Sequence, residues 1–333
     1  MDQLSAHLDR GWDLAQKGDA HGASECAKRA LELDPQSPEV HNLLGYSAAL
    51  AGEAEEALEH YRQAIALDET YLEAMLNAAE VLMHPLADWD EAIRLCDDAY
   101  EYAETKEEIA DCLLLRVDAL TGKGDHEEAK ASMTRLPQAP FESDNYTFLI
   151  GRAYFELGET DKARPYIEET VRADPGHADA HYYLALLADE AGDTRAAIES
   201  FLRSRALDLS RAPAPWAPSP EAFAQIVRRV VLGLDPLLAH YLTDVEVYIV
   251  DVPGAELVVD GVDPRAPLLL DARPADSGDE GEIRLFVYQR NVERSASSVS
   301  AVEAELAAAL EREITAVFLE HDPPTPSEKH QLN

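Results

Sequence analysis

The chain has 333 residues, 46% of them hydrophobic, with 65 Asp and Glu against 28 Lys and Arg and a net charge of −37. So acidic a chain has no positive footprint for a phosphate backbone or an anionic bilayer, and no run of about 18 apolar residues is present to span one. The charge instead favours encounter with a basic protein partner.

At the N-terminus, "MDQLSAHLDR" has no basic segment leading into an apolar run, so no signal peptide is predicted. The three cysteines, Cys26, Cys96 and Cys112, are odd in number and widely scattered. That set is a poor disulfide framework and a poor metal site, and it predicts reduced, buried thiols in a cytoplasmic protein without a cofactor.

A period then fills the first two thirds. "GWDLAQKGDAHGASECAKRALELDP" begins at Gly11, and "GYSAALAGEAEEALEHYRQAIALDE" begins 34 residues later at Gly45. "GRAYFELGETDKARPYIEETVRADP" begins at Gly151, and "ALLADEAGDTRAAIESFLRSRALDL" 34 residues later at Ala185. Weaker copies lie around Ala79–Ala99 and Val117–Leu136, the first with an extra residue near "HPLADWD". Each copy predicts two helices. A small residue (Gly11, Gly45, Gly151 or Ala185) sits where the first crosses its neighbour closely. An Ala twelve positions on (Ala23, Ala57, Ala163, Ala197) does the same for the second. Gly18, Gly52, Gly158 and Gly192 supply the turn between them, and Pro35 and Pro175 stop the second helix.

This pattern resembles the tetratricopeptide repeat family, with six helix pairs over roughly residues 4–210. The resemblance implies an α-helical solenoid whose concave face, built mainly from first helices, binds a protein segment. By phase, that face is expected to present Trp12, Tyr46, Phe148, Arg152, Phe155 and Tyr182, with Glu39, Glu80, Asp189 and Glu190 nearby. Aromatics among carboxylates suit a basic and apolar segment. One subtype of the family clamps a C-terminal carboxylate with Lys and Asn. Its positions here hold Leu8, Trp12, Asn42 and Tyr46, so that mode is not expected. His177 and His181 are spaced i, i+4, but His181 shares the repeat phase of His41 and His7 and is expected to pack.

"RAPAPWAPSP", residues 211–220, cannot be helical and reads as a stiff link, with Trp216 docking on a neighbouring core. Beyond it the period changes, and residues 221–322 read as a small α+β domain. Ser219 caps a helix that has Pro220 at its first position. Strands are expected at Val245–Pro253, in "APLLLDARP" and at Ile283–Val292, and a long amphipathic helix over Ser300–Glu320. "GVDPR" is a turn, "ADSGDEGE" an acidic loop, and residues 323–333 a disordered tail.

Residues 219–322, and "IRLFVYQRNVER" with the following helix above all, resemble the small zincin-like metallopeptidases of bacteria. In that family a helix carries H-E-x-x-H, with a third zinc ligand ten residues after the first His. Laid on this sequence, the two His positions hold Arg312 and Ala316, while Glu313 at the base position and Asp322 at the third ligand position are retained. The small residue usual at the turn is Leu319. A guanidinium cannot be a ligand, a methyl has no donor, and without metal Glu313 cannot bring water within reach of ionisation. The resemblance thus implies a non-enzymatic interaction, scaffold or regulatory protein with a catalytically inactive zincin-like domain. The alternative is a zinc metallopeptidase with an altered ligand set, such as His240, Glu313, His321 and Asp322.

Overall fold

The computed structural model describes residues 3–242, 245–272, 283–296 and 298–319. The chain divides into two compact units, Met1–Ser200 and Phe201–Asn333.

The first part of the chain is built from consecutive helix pairs: α1 (Gln3–Gln16) and α2 (Ala20–Leu33), α3 (Pro38–Ala51) and α4 (Ala54–Leu67), α5 (Leu72–Met83) and α6 (Trp89–Tyr102), α7 (Lys106–Lys123) and α8 (His126–Met133), α9 (Asn145–Glu156) and α10 (Thr160–Ala173), α11 (Ala178–Glu190) and α12 (Thr194–Ser210). The small residues act as their spacing predicts. Ala23, Ala57 and Ala163 are completely buried. A Cβ added at Gly45 would lie 2.7 Å from the Tyr61 ring and 3.1 Å from the backbone oxygen of Ala57. The turn glycine recurs in left-handed geometry, at φ +82 for Gly52 and +87 for Gly124. The pair α5–α6 lacks it, and Ala87 takes the left-handed backbone instead, at φ +54. This is the irregularity foreseen near "HPLADWD". Side-chain caps fix the helix starts: Ser37 accepts from Val40 N, and Thr105 and Glu108 form a reciprocal capping box on α7. His177 caps α11 by accepting from Ala180 N at 3.1 Å, so the histidine pair serves structure.

In the second unit, residues 211–219 contain no helix, and Trp216 packs against that unit's own core. There follow α13 (Pro220–Gly233), the short α14 (Pro236–Ala239), β1 (Glu246–Val250), α15 (Ala255–Val259), β2 (Leu268–Ala272), β3 (Ile283–Tyr288), α16 (Gln289–Ser295) and α17 (Val299–Ile314). A π-helical turn, Thr315–Leu319, extends α17. The sheet order is β1-β3-β2, with β1 parallel and β2 antiparallel to β3. Phe223, Val227 and Val230 of α13, Leu285 and Val287 of β3, and Leu306 and Leu310 of α17 form the core.

The third strand is shorter than Ile283–Val292, because its last residues turn into α16. The Asn291 amide donates to the carbonyls of Pro264 (2.9 Å) and Ala266 (2.7 Å), and Gln289 donates to the Pro218 carbonyl at 3.0 Å. These bonds hold the chain in a helical turn where the hydrophobic pattern alone would extend it. Asp208, 8% exposed, is held by Arg265 Nε at 3.0 Å and Arg294 Nη2 at 2.5 Å, so "GVDPR" supplies an anchoring arginine as well as a turn. The expected acidic loop 275–282 and tail 323–333 lie outside the described residues.

Candidate protein-binding groove

The first helices of the third, fourth and fifth pairs share a groove of about 420 Å³. Leu72 and Leu76 of α5, Leu114 and Leu115 of α7 and Leu149 of α9 line it with apolar surface. Four carboxylates, Glu73, Glu80, Asp111 and Asp118, stand among them. The cation in the lining is Arg152, which bridges Asp118 (Nη2 to Oδ2, 3.3 Å) and Glu156 (Nε to Oε1, 3.5 Å). Tyr146 donates its hydroxyl to Asp111 Oδ1 at 2.9 Å.

The electrostatics follow from crowding acids between helices. Desolvation, and then the neighbouring Asp118, raises the Glu80 carboxyl above its ordinary value, although its side chain remains open to water. Burial raises Asp118 too, with Arg152 opposing, and Asp111, with the Tyr146 hydrogen bond opposing. No cation opposes the rise at Glu80 or Asp111, so a cation entering the groove would stabilise their ionised forms, whereas Asp118 already has Arg152.

The aromatic residues expected in the groove fall into two groups on either side of this stretch. Trp12 and Tyr46 are both half-buried, with ring centroids 5.3 Å apart. Phe155 and Tyr182 are half-buried as well, and both contact Tyr183, at 5.4 and 6.0 Å. Phe148 is a correction: it is only 6% exposed and packs against His177 at 4.6 Å and Tyr183 at 5.7 Å. Its phase points between the fifth and sixth pairs, and so it serves their packing. Asn42, at a carboxylate-clamp position, is completely buried, donating to Tyr71 Oη and accepting from Asn77 Nδ2.

The sequence reading placed Glu80 near the binding face but missed Glu73, Asp111, Asp118 and the leucines. The two middle copies lack the phase-marking glycine, with Ala79 and Val117 in its place. A signal was nonetheless present: counting 34 back from Arg152 gives Asp118, and 34 on from Tyr46 gives Glu80.

In the second unit, Arg312 is exposed in the last turn of α17, and Ala316 lies in the π-helical turn. The Glu313 carboxylate accepts a hydrogen bond from Leu270 N of β2 at 3.4 Å, which tethers the helix to the sheet. His240 is exposed beside Tyr241. Asp322 and His321 lie outside the described residues. Among the described residues no three His, Cys, Asp or Glu side chains are grouped to hold a metal ion, and no helix is long and apolar enough to cross a membrane.

A tetratricopeptide repeat model matches residues 8–71 and 148–210. Among solved structures, pilF of Pseudomonas aeruginosa is similar at a TM-score of 0.52 and 19% identity, over 63% of this chain and 93% of that one. PilW, a widely conserved type IV pilus biogenesis factor, is similar at 0.52 and 18%, over 67% and 98%. The APC/C assembly Cut9–Hcn1 reaches 0.50 and 18%, over 62% and 41%. No curated protein matches the sequence. Residues 8–71 and 148–210 of the helical array are thus tetratricopeptide repeats, and the likeness to these structures is one of fold.

Proposed function

From a chain that carries tetratricopeptide repeats, we propose a cytoplasmic scaffold or regulatory protein whose groove holds a basic and apolar segment of another protein. Repeats of this kind generally serve protein–protein interaction. The observation that carries the reading is the groove itself, with leucine side chains beside four carboxylates and Arg152 as the cation of its lining. Apolar residues of the segment would lie on Leu76, Leu114 and Leu149, and its Lys or Arg would meet Glu80 and Asp118. The half-buried pairs Trp12–Tyr46 and Phe155–Tyr182 extend the surface at either end. Steering by the net charge of −37 would speed encounter, and the buried apolar anchors would set the lifetime.

Within the same proposal, the second unit is a zincin-like domain without its metal. Supporting this are the placement of Arg312 and Ala316 at the two His positions and the use of Glu313 as a tether to Leu270. The purified chain is expected to hold far less than one zinc after dialysis, and stoichiometric, chelatable zinc would favour the altered-ligand peptidase instead.

The groove is tested by affinity capture with the full chain and with a Glu73→Lys, Glu80→Lys variant, both exposed positions whose change leaves helicity intact. The variant is expected to lose the basic partners that the native chain retains. Equal recovery of the same proteins by both would overturn the groove reading.

A further inference from the structure

The sheet of the second unit stops at a strand that carries apolar side chains into solvent. Among the described residues β1 pairs on one side only, with β3, so alternate backbone N–H and C=O groups point outward. Val247, Tyr248 and Val250 are 39%, 41% and 43% exposed. Edge strands are ordinarily blunted by charge, proline or a covering element; Val247–Val250 holds no charge or proline, and among the described residues no further strand pairs with it. Beside the strand, a cleft of about 400 Å³ opens against α13. Val227 and Val231 form its floor, Leu232 stands 79% exposed on its rim, and Val247 and Ile249 face it from the strand. It lies where the inward side chains of one more strand would rest on α13, as Leu285 and Val287 of β3 rest on the core.

We propose that this edge receives an extended segment of a partner protein, paired with β1 as an additional strand. Its alternate side chains are apolar and fill the cleft, and Lys or Arg flank it. The flanking charges follow from the ends of the strand. The side chains of Glu246 and Asp251 are 54% and 65% exposed; Glu246 accepts a hydrogen bond from the Tyr248 hydroxyl at 2.6 Å, and among the described residues the cations paired with the two carboxylates, Arg284 and Arg290, stand at 4.0 Å. The five steps of extended chain from Glu246 to Asp251 span about 17 Å, and the long Lys or Arg side chains at the ends of a seven-residue segment, about 20 Å apart, bridge the difference. Arg228 lines the cleft, its aliphatic stem adding apolar surface and its guanidinium offering donors to the occupant's carbonyls. A second copy of this chain is disfavoured as occupant, since each copy carries −37. The recognition mode is strand addition, in which main-chain hydrogen bonds give affinity and alternate pockets give selectivity. It is independent of the groove in the repeats.

The test uses the full chain and three fluorescent heptapeptides read by anisotropy, with hydrogen exchange followed at residues 246–250. The probe is Lys-Val-Thr-Val-Thr-Val-Lys. One control has the same composition with the valines adjacent, Lys-Thr-Thr-Val-Val-Val-Lys, and the other has Glu at both ends. The alternating Lys-flanked peptide is expected to bind at least about tenfold tighter than either control, equivalent to about 1.4 kcal/mol. It should slow exchange at 246–250 and lose that advantage in Leu232→Glu, a rim position whose exposure leaves folding intact. Equal binding of the rearranged peptide, or unchanged exchange in β1, overturns the proposal. Protection of β1 before any peptide is added also overturns it. A doubled mass on sedimentation would then assign the edge to a second copy, and an unchanged mass to another segment of the same chain.

Discussion

At the scale of single residues, Gly45 shows how little room the repeat leaves. Its missing Cβ faces the ring of Tyr61, which is 1% exposed and cannot swing away, and the backbone oxygen of Ala57, which cannot rotate at all. Replacing glycine in a helix gains up to about 1 kcal/mol in propensity. Overpacking costs about 1–3 kcal/mol and sometimes more, so the clash wins. Gly45→Leu is therefore expected to destabilise by about 2 kcal/mol or more, read as a lower thermal midpoint, and an unchanged midpoint would mean the helices separate freely. Glu80 gives a pH prediction of the opposite kind. Its folded-state carboxyl is raised above the ordinary 4.5, so the folded chain binds this proton more tightly than the unfolded one. Its contribution to stability is present at low pH and lost as pH rises from 4.5 through the folded value. Glu80→Gln should stabilise the free protein at neutral pH, with the advantage fading on acidification. A cationic segment favours the ionised groove, so its affinity should fall over the same acid range. These positions differ in legibility. Gly45 was marked by its period, whereas the crowding around Glu80 depends on Asp118 of another helix and becomes visible only once α5 and α7 are packed.

At the scale of elements, the strong copies announce themselves, and the irregular fourth pair shows only as the weaker copy around Val117–Leu136. Its second helix, α8, has only eight residues, too few to be stable alone. Arg116 of α7, 7% exposed, donates to Ser132 Oγ at 2.5 Å and to the Glu128 carboxylate, both on α8, and to Asp97 Oδ1 of α6 at 2.7 Å. One guanidinium thereby joins three helices. Both carboxylates keep access to water, so removing the arginine does not strand a buried charge, and the loss is that of hydrogen bonds and packing. Arg116→Leu is expected to cost about 1–3 kcal/mol and to speed amide exchange in His126–Met133 ahead of the other helices. Uniform exchange across the array would show that α8 is held by apolar packing alone. The sequence offered no warning of this: Arg116, Glu128 and Ser132 gain meaning only from the crossing of three helices. The same limit shortened β3, since "QRNV" continues a strand-like run until Asn291 finds the carbonyls of Pro264 and Ala266. Strand positions and the turn at Gly261 could be read from alternation and punctuation. The sheet order, and the edge position of β1 among the described residues, could not, because pairing is decided by partners distant in sequence.

At the scale of the whole molecule, the charge of −37 acts in two directions, and salt separates them. Within the folded chain, like charges are held closer than in the unfolded chain, so self-repulsion lowers stability. Between the chain and a basic partner, the same field accelerates encounter. Raising NaCl from 0.1 to 1 M shortens the screening length from about 10 to about 3 Å, so both effects should shrink together. The thermal midpoint is therefore expected to rise with NaCl, while the association rate for a basic peptide falls. Chloride is the proper salt for the comparison, because sulfate raises midpoints through exclusion from the surface whatever the charge. The dissociation rate should change much less, since contacts of buried apolar anchors are less sensitive to screening than long-range steering. Stopped-flow mixing gives the two rates and scanning fluorimetry the midpoint on the same samples. A midpoint that falls with NaCl would show that the local ion pairs, such as Arg62–Glu91 at 2.7 Å and Arg229–Glu303 at 2.7 Å, outweigh the excess of acid. An association rate indifferent to salt would remove steering from the account and leave shape and apolar contact as the whole basis of recognition.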